Sequence, residues 1–210
     1  MQKYLLSLCL CLTLGPWLSA AASASEQDGA EALIEALAGL EHLQGNFEQR
    51  QFDTEDTLIA ESKGRFKLLR PGYFSWEITA PDSQIVIATP EYLWHYDRDL
   101  ETVTRRPVAS GGGTTPLQIL GGNAQALRRD FLISPIEPGV FFLESLDSEV
   151  GFETMTLTLD KGRPSRMDIR DNLKQRVVVD FLELDGSTPL TPEDFAFEPP
   201  PGVDLFHYDE

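Results

Sequence analysis

From Leu43 onward, apolar residues return at every second position in one short run after another, and this period of two constrains the fold more than any other feature of the chain. In GYFSWEITAP, Phe74, Trp76 and Ile78 alternate with polar neighbours. In FETMTLTLD the apolar set Phe152, Met155, Leu157 and Leu159 opposes Thr154, Thr156 and Thr158. Phe66 and Leu68 share a face in TLIAESKGRFKLLRP, and Phe47 sits in LQGNFEQRQFD. SQIVIATPEYLWHYDRD carries Ile85 and Ile87, then Tyr92, Trp94 and Tyr96 around Leu93. The runs ETVTRRPV, FLISPI, GVFFLESLD, PSRMDIRDN, QRVVVDFLEL and DFAFEPPPGVDLF complete the set. Each run is bounded by Pro, Gly, Asp or Asn, so the chain reads as a meander of about eleven antiparallel strands with one dry face and one wet face.

Only two stretches depart from this period. Residues 26–43, EQDGAEALIEALAGLEHL, space Ala30, Leu33, Ile34, Leu37, Leu40 and Leu43 as on one face of a helix. Acidic residues lie on the other face and near the start, where the helix dipole favours them. The second stretch is ASGGGTTPLQILGGNAQALRRD. There Thr115 is a candidate N-cap and Pro116 suits a first helical position, with Leu117, Ile119 and Leu120 apolar. That helix should stop at Gly121-Gly122 and resume from Ala124 to Arg129. The fold class is therefore α+β: one antiparallel sheet or unclosed barrel, helices at one end, one helical insertion and no linker or repeat.

The first residues read as an address rather than as structure. Lys3, the apolar run Tyr4–Leu14 and the ending Ala22-Ser23-Ala24 have the layout of a secretory signal peptide, too short for a membrane span. Cleavage after Ala24 leaves residues 25–210 as a single domain. Cys9 and Cys11, the two cysteines of the chain, depart with the signal, so no disulfide, cysteine metal site or thiol nucleophile is expected. The Leu6-Ser7-Leu8 context of Cys9 is a poor one for lipid modification. A net charge of −17 argues against nucleic acid and against stable association with an anionic membrane.

Catalytic patterns are sparse. His42, His95 and His207 are far apart in sequence and none has a metal-ligand spacing, so no metal and no cofactor are expected. G-x-S-x-G is absent, and SGGGTT lacks the Lys of a phosphate loop, so it reads as a hinge. The many carboxylates fall mostly on wet faces and in turns. Residues Leu37, Phe47, Phe66, Leu68, Phe74, Trp76, Ile78 and Leu93, with Leu117, Ile119 and Leu120, exceed what a meander needs. They form either a filled core beneath helices or the wall of a cavity for a hydrophobic ligand.

GRFKLLRPGYFSWEITAP, then YLWHYDRD, TTPLQIL and FAFEPPPGVDL, resemble the outer-membrane lipoprotein carrier protein family, in the family's order and over residues 30–205. The resemblance implies an unclosed antiparallel barrel with a hydrophobic cavity under a lid of short helices. It implies a periplasmic chaperone, not an enzyme, that accepts acylated lipoproteins from an inner-membrane ABC transporter and delivers them to an outer-membrane lipoprotein receptor. It carries the lid onto the N-terminal helix and TTPLQIL, the cavity wall onto Phe74 and Trp76, and a latch onto Arg70 beside Pro71. By elementary chemistry an exposed arginine among so many acids can equally serve as a surface ion-pair partner. A shuttle that hides its own apolar mouth has no need of a second copy, so a monomer is expected. A lipid or lipoprotein sensor of the same fold, and a hydrolase acting on lipid or cell-wall material, remain as alternatives. Two features depart from the family: the glycine pair after the lid segment, and the short tail FHYDE.

Overall fold

A computed structural model describes residues 21–108, 119–121, 123–146 and 151–208, the side chains of 21–28 excepted. Twelve strands form one sheet: β1 (His42–Phe52), β2 (Leu58–Leu69), β3 (Tyr73–Ala80), β4 (Gln84–Ala88), β5 (Tyr92–Asp97), β6 (Thr102–Pro107), β7 (Phe131–Glu137), β8 (Val140–Ser145), β9 (Phe152–Asp160), β10 (Arg163–Asp171), β11 (Arg176–Asp185) and β12 (Asp204–His207). Their order is β12-β6-β5-β4-β3-β2-β1-β11-β10-β9-β8-β7, so the sheet consists of two meanders joined at β1–β11. Its ends, β12 and β7, do not pair with each other, which leaves the barrel unclosed. All pairings are antiparallel except β12 with β6.

Turn chemistry fixes many of the hairpins. Lys161 and Gly162 both have positive φ, 51° and 77°, the requirement of a two-residue type I′ connection. In the β1–β2 turn the Asp53 carboxylate accepts from the backbone N–H of Glu55 and Thr57, and Asp171 does the same for Leu173 and Gln175 between β10 and β11. The run at 83–99 divides at Thr89–Tyr92, whose mutual hydrogen bonds turn the chain, and this accounts for one more strand than the pattern suggested.

Helix α1 (Ala21–Ala36) ends earlier than residue 43. A tightened turn carries the chain through Leu37–Leu40, with Leu40 N donating to Leu37 O at 3.0 Å, and Leu43 already belongs to β1. Leu43 is buried all the same, because on the strand it shares the inner face with Phe47. Helix α2 (Ala124–Asp130) is capped by Asn123, whose side chain accepts from Ala126 N at 3.0 Å. Between β6 and α2 a helical end at Ile119–Leu120 is described; Thr115, Pro116 and Leu117 lie outside the described residues.

Both helices pack against β7 on the core side of the sheet. α1 crosses the β7 edge so closely at Gly29 that a Cβ there would lie 1.8 Å from the Ile133 carbonyl oxygen. An edge strand is thereby covered, and Pro135 within β7 further discourages pairing. Ala30 and Leu33 enter the core from α1, Leu37 from the turn after it, Ile119 and Leu120 from the helical end, and Leu127 from α2.

The C-terminal segment departs from the strand expected over DFAFEPPPGVDLF. Pro192–Phe195 is a 3-10 helix, and only Asp204–His207 forms a strand. The three consecutive prolines from Pro199 to Pro201 remove the ladder donors a strand would need. This segment crosses the face of the sheet opposite the core: Phe195 packs on Tyr73 at 5.6 Å between ring centres, and Phe197 on Trp94 at 5.4 Å and Tyr96 at 6.0 Å.

Candidate functional site: an apolar sheet face beside Arg70

The inner face of the sheet is built from the alternation itself. Phe74 pairs with Leu68 and Ala88, and Trp76 with Phe66 and Val86, so one row of apolar side chains crosses β2, β3 and β4. β1 contributes Leu43 and Phe47. The Phe47 ring has room because its cross-strand partner is Gly64, where a Cβ would lie 2.7 Å from Phe47 Cζ and 1.8 Å from the Glu77 carbonyl oxygen. Phe47 and Trp76 stack with ring centres 3.5 Å apart. Phe74, Phe66 and Phe181 surround Trp76 at 6.0, 6.2 and 6.3 Å.

Of the residues the sequence singled out, Leu37, Phe47, Phe66, Leu68, Phe74 and Trp76 are buried together in this cluster, as are Ile119 and Leu120 beneath which they pack. Ile78 and Leu93 are half-buried against it. Leu117 lies outside the described residues. The second meander supplies as much again: Phe131, Phe141, Phe152, Met155, Leu157, Met167, Val179 and Phe181 are buried in the same cluster. Phe181 escaped notice because Val177-Val178-Val179 interrupts the alternation of its strand. Tyr92, Trp94 and Tyr96 face outward, under the C-terminal segment, while Leu93 between them faces inward.

Arg70 joins two helix ends beside this face. It follows β2, half-buried, with Pro71 exposed in the turn after it. Nε donates to the Leu120 carbonyl at 2.9 Å and Nη1 to the Leu37 carbonyl at 2.8 Å. Both acceptors stand at helix C-terminal ends, where the dipole is negative, and the Leu37 carbonyl takes the guanidinium on its second lone pair beside Leu40 N. One planar guanidinium thus caps the end of α1 and the helical end at Leu120 together, a geometry that an ammonium cannot reproduce. Arg70 Nη2 is buried and has no partner among the described residues. Burial pulls the guanidinium below its ordinary value, although it stays charged at any physiological pH. The bonds run to neutral carbonyls rather than to a carboxylate, so Arg70 is not a surface ion-pair partner.

A second contact joins the helices on the outside. Arg128 of α2 holds the Glu31 carboxylate of α1 with two bonds, at 2.6 and 3.1 Å, and this hydrogen bond and charge lower the Glu31 carboxyl below the usual range. Asp130, the buried carboxylate among the described residues, sits at the α2–β7 junction and is gripped by Arg129 at 2.6 and 2.8 Å. Among the described residues no three His, Cys, Asp or Glu side chains gather into a metal-ligand set, and no helix is long and apolar enough to cross a membrane. His42, His95 and His207 lie on β1, β5 and β12.

The family model described as "Outer membrane lipoprotein carrier protein LolA" matches residues 38–198. An outer-membrane lipoprotein carrier protein of Alkalilimnicola ehrlichii is 33% identical over 202 residues, covering 96% of this chain and 92% of its own. One from Halorhodospira halophila is 35% identical over 179 residues, 85% of this chain and 86% of its own. In fold the chain is similar to a LolA superfamily protein from Nitrosomonas europaea, with a TM-score of 0.51 at 13% identity over 82% of this chain and 98% of the other. An uncharacterized conserved protein from Thermus thermophilus gives a TM-score of 0.53 at 17% identity, over 85% and 98%. The family model spans most of the chain and the relatives are matched over most of their own length, so the chain belongs to the outer membrane lipoprotein carrier protein LolA family.

Proposed function

We propose that this protein is a lipoprotein carrier that opens its helical lid, takes the acyl chains of a lipoprotein against the concave face, and releases them on the outer-membrane side. In this reading it works in the periplasm as a monomer after losing residues 1–24. An ABC transporter of the inner membrane supplies the cargo and a lipoprotein receptor of the outer membrane receives it. Cavity wall and lid are the residues named above, and no chemical reaction is assigned to them.

The observation that carries the reading is Arg70 spanning two helix ends over an apolar interior. Three acyl chains carry on the order of forty methylenes, and each exposed to water costs about 0.8 kcal/mol, so a carrier must cover most of them. In the closed protein the concave face satisfies itself, with Phe47 stacked on Trp76. Cargo replaces these internal contacts with its own and must break the two Arg70 bonds to do so. Binding is therefore opposed by the closed state, and release is assisted by it.

Native mass spectrometry of protein purified from the periplasm with a co-expressed lipoprotein tests the reading. A one-to-one complex that vanishes when the lipoprotein lacks its acyl chains is the expected result. A bare protein, under conditions where a known carrier keeps its cargo, would refute it.

A further inference from the structure

We propose that the seam between β10 and β11 is a lateral port through which an acyl chain of the cargo passes into the interior, its ester carbonyl held at a rim formed by Lys161 and Arg163. The inference rests on the carrier reading and adds a route to it.

The two strands pair from Arg170 with Arg176 only as far as Arg166 with Asp180. Beyond that point β10 runs on to Arg163 and β11 to Asp185 with no pairing between them. The parting is written in the sequence on both sides. Pro164 has no N–H to offer, and a register shift between Pro164 and Arg166 leaves Ser165 in a bulge, its Oγ turned to the Thr158 carbonyl at 3.2 Å. On β11, Glu183 has φ +51°, a conformation costly for a residue with a side chain, which breaks the strand's regularity.

Between the parted strands lies a groove of about 520 Å³, walled by Pro164, Phe181 and Leu184 and rimmed by Asp160, Lys161 and Arg163. That volume is in the range of small-ligand clefts. Its inner wall is continuous with the concave face: Phe181 meets Phe66 edge-on at 5.2 Å and Trp76 at 6.3 Å. An alkyl chain entering here touches Leu184, then Phe181, then the residues of the cavity wall. The rim suits the other end of an acyl group, because lysine and arginine offer donors only and ester oxygens accept only. Among the described residues neither Lys161 nor Arg163 makes an ion pair, although the chain carries a net charge of −17.

The port also adjoins the latch. At the tip of the β9–β10 hairpin a Cβ on Gly162 would stand 3.4 Å from the Ala36 carbonyl oxygen, one residue before the carbonyl that Arg70 holds. Release of α1 by Arg70 frees the element against which the hairpin tip rests.

A photo-crosslinking residue placed in turn at Leu184 and at Leu93 tests the route, with a tripalmitoylated cysteine lipopeptide as probe. Capture at both positions is expected, with capture at Leu184 appearing first in a time course. Leu184→Trp, which fills the groove, should slow uptake and release alike by about fivefold or more. The exposed pair Lys161→Glu and Arg163→Glu leaves the core untouched and should slow uptake about threefold at low salt. Capture at Leu93 alone, or unchanged rates in both variants, overturns the port and leaves the carrier standing. An unaltered protein that takes up no lipopeptide overturns both.

Discussion

Replacing Arg70 by leucine should convert the carrier into a trap. A hydrogen bond involving a charged group contributes about 1.5–3 kcal/mol net, so the bonds to Leu37 O at 2.8 Å and Leu120 O at 2.9 Å together favour closure by about 3–6 kcal/mol. The half-buried guanidinium regains hydration when the lid opens, which brings the net closer to about 3 kcal/mol. At 1.4 kcal/mol per tenfold, the ratio of closed to open protein falls about 100-fold in Arg70→Leu. Cargo needs the open form, so apparent affinity rises by up to the same factor while the intrinsic contacts are unchanged. The assay is transfer of a fluorescent triacylated lipopeptide from loaded protein to acceptor liposomes. Loading should persist and transfer should slow by about 10- to 100-fold. Arg70→Lys should fall between, since one ammonium replaces a fork that reaches two carbonyls. Transfer by Arg70→Leu within about twofold of the unaltered rate would refute the latch, because that is less than 0.5 kcal/mol.

Two further perturbations probe the frame. Gly29→Ala would stabilise an exposed helix by about 1 kcal/mol, but here the new Cβ would lie 1.8 Å from Ile133 O, so the melting temperature should fall by several degrees. A rise instead would mean that α1 does not seat on β7. Burial pushes the Glu77 carboxyl up, but the hydrogen bonds and charges of Arg65 and Arg98 outweigh it and hold the group below the usual value. A depressed folded value adds stability that is present above the unfolded value, about pH 4.3, and is lost as pH falls through the folded one. Glu77→Gln should therefore lower the melting temperature at pH 7 and lose its effect toward pH 3; an equal deficit at both would contradict the assignment.

The apolar face was legible wherever one side of a strand is dry. Phe66, Leu68, Phe74, Trp76 and Ile78 follow the pleat without interruption, and the structure puts them on one surface. What the sequence did not show is a cover on the other face. Leu93 is legible as the inward residue of β5, but nothing in the sequence accounts for the more hydrophobic row Tyr92, Trp94 and Tyr96, which faces outward because Phe197 folds over it from a distant part of the chain. Arg105 adds to that outer layer, its guanidinium 4.5 Å from the centre of the Tyr92 ring. Periodicity cannot reveal a cover that arrives from a hundred residues away. The end of α1 was misjudged for a different reason: Leu40 and Leu43 are three apart, which fits a helix, yet Leu43 is equally well placed by the two-residue period of β1. To periodicity and charge Arg70 is no more than an arginine before a proline, and only the family resemblance singles it out; its two carbonyl partners exist only after folding.

The joining of the two meanders at β1–β11 governs how the molecule is made. Phe47 pairs with Phe181, so the central seam of the sheet cannot form until nearly the whole chain has left the ribosome. Each meander can assemble from neighbours close in sequence, on the timescale of hairpins, whereas the seam must wait for a long loop to close. During that interval each half presents its greasy side to water, which makes the nascent protein a client for the same kind of protection it later gives to others.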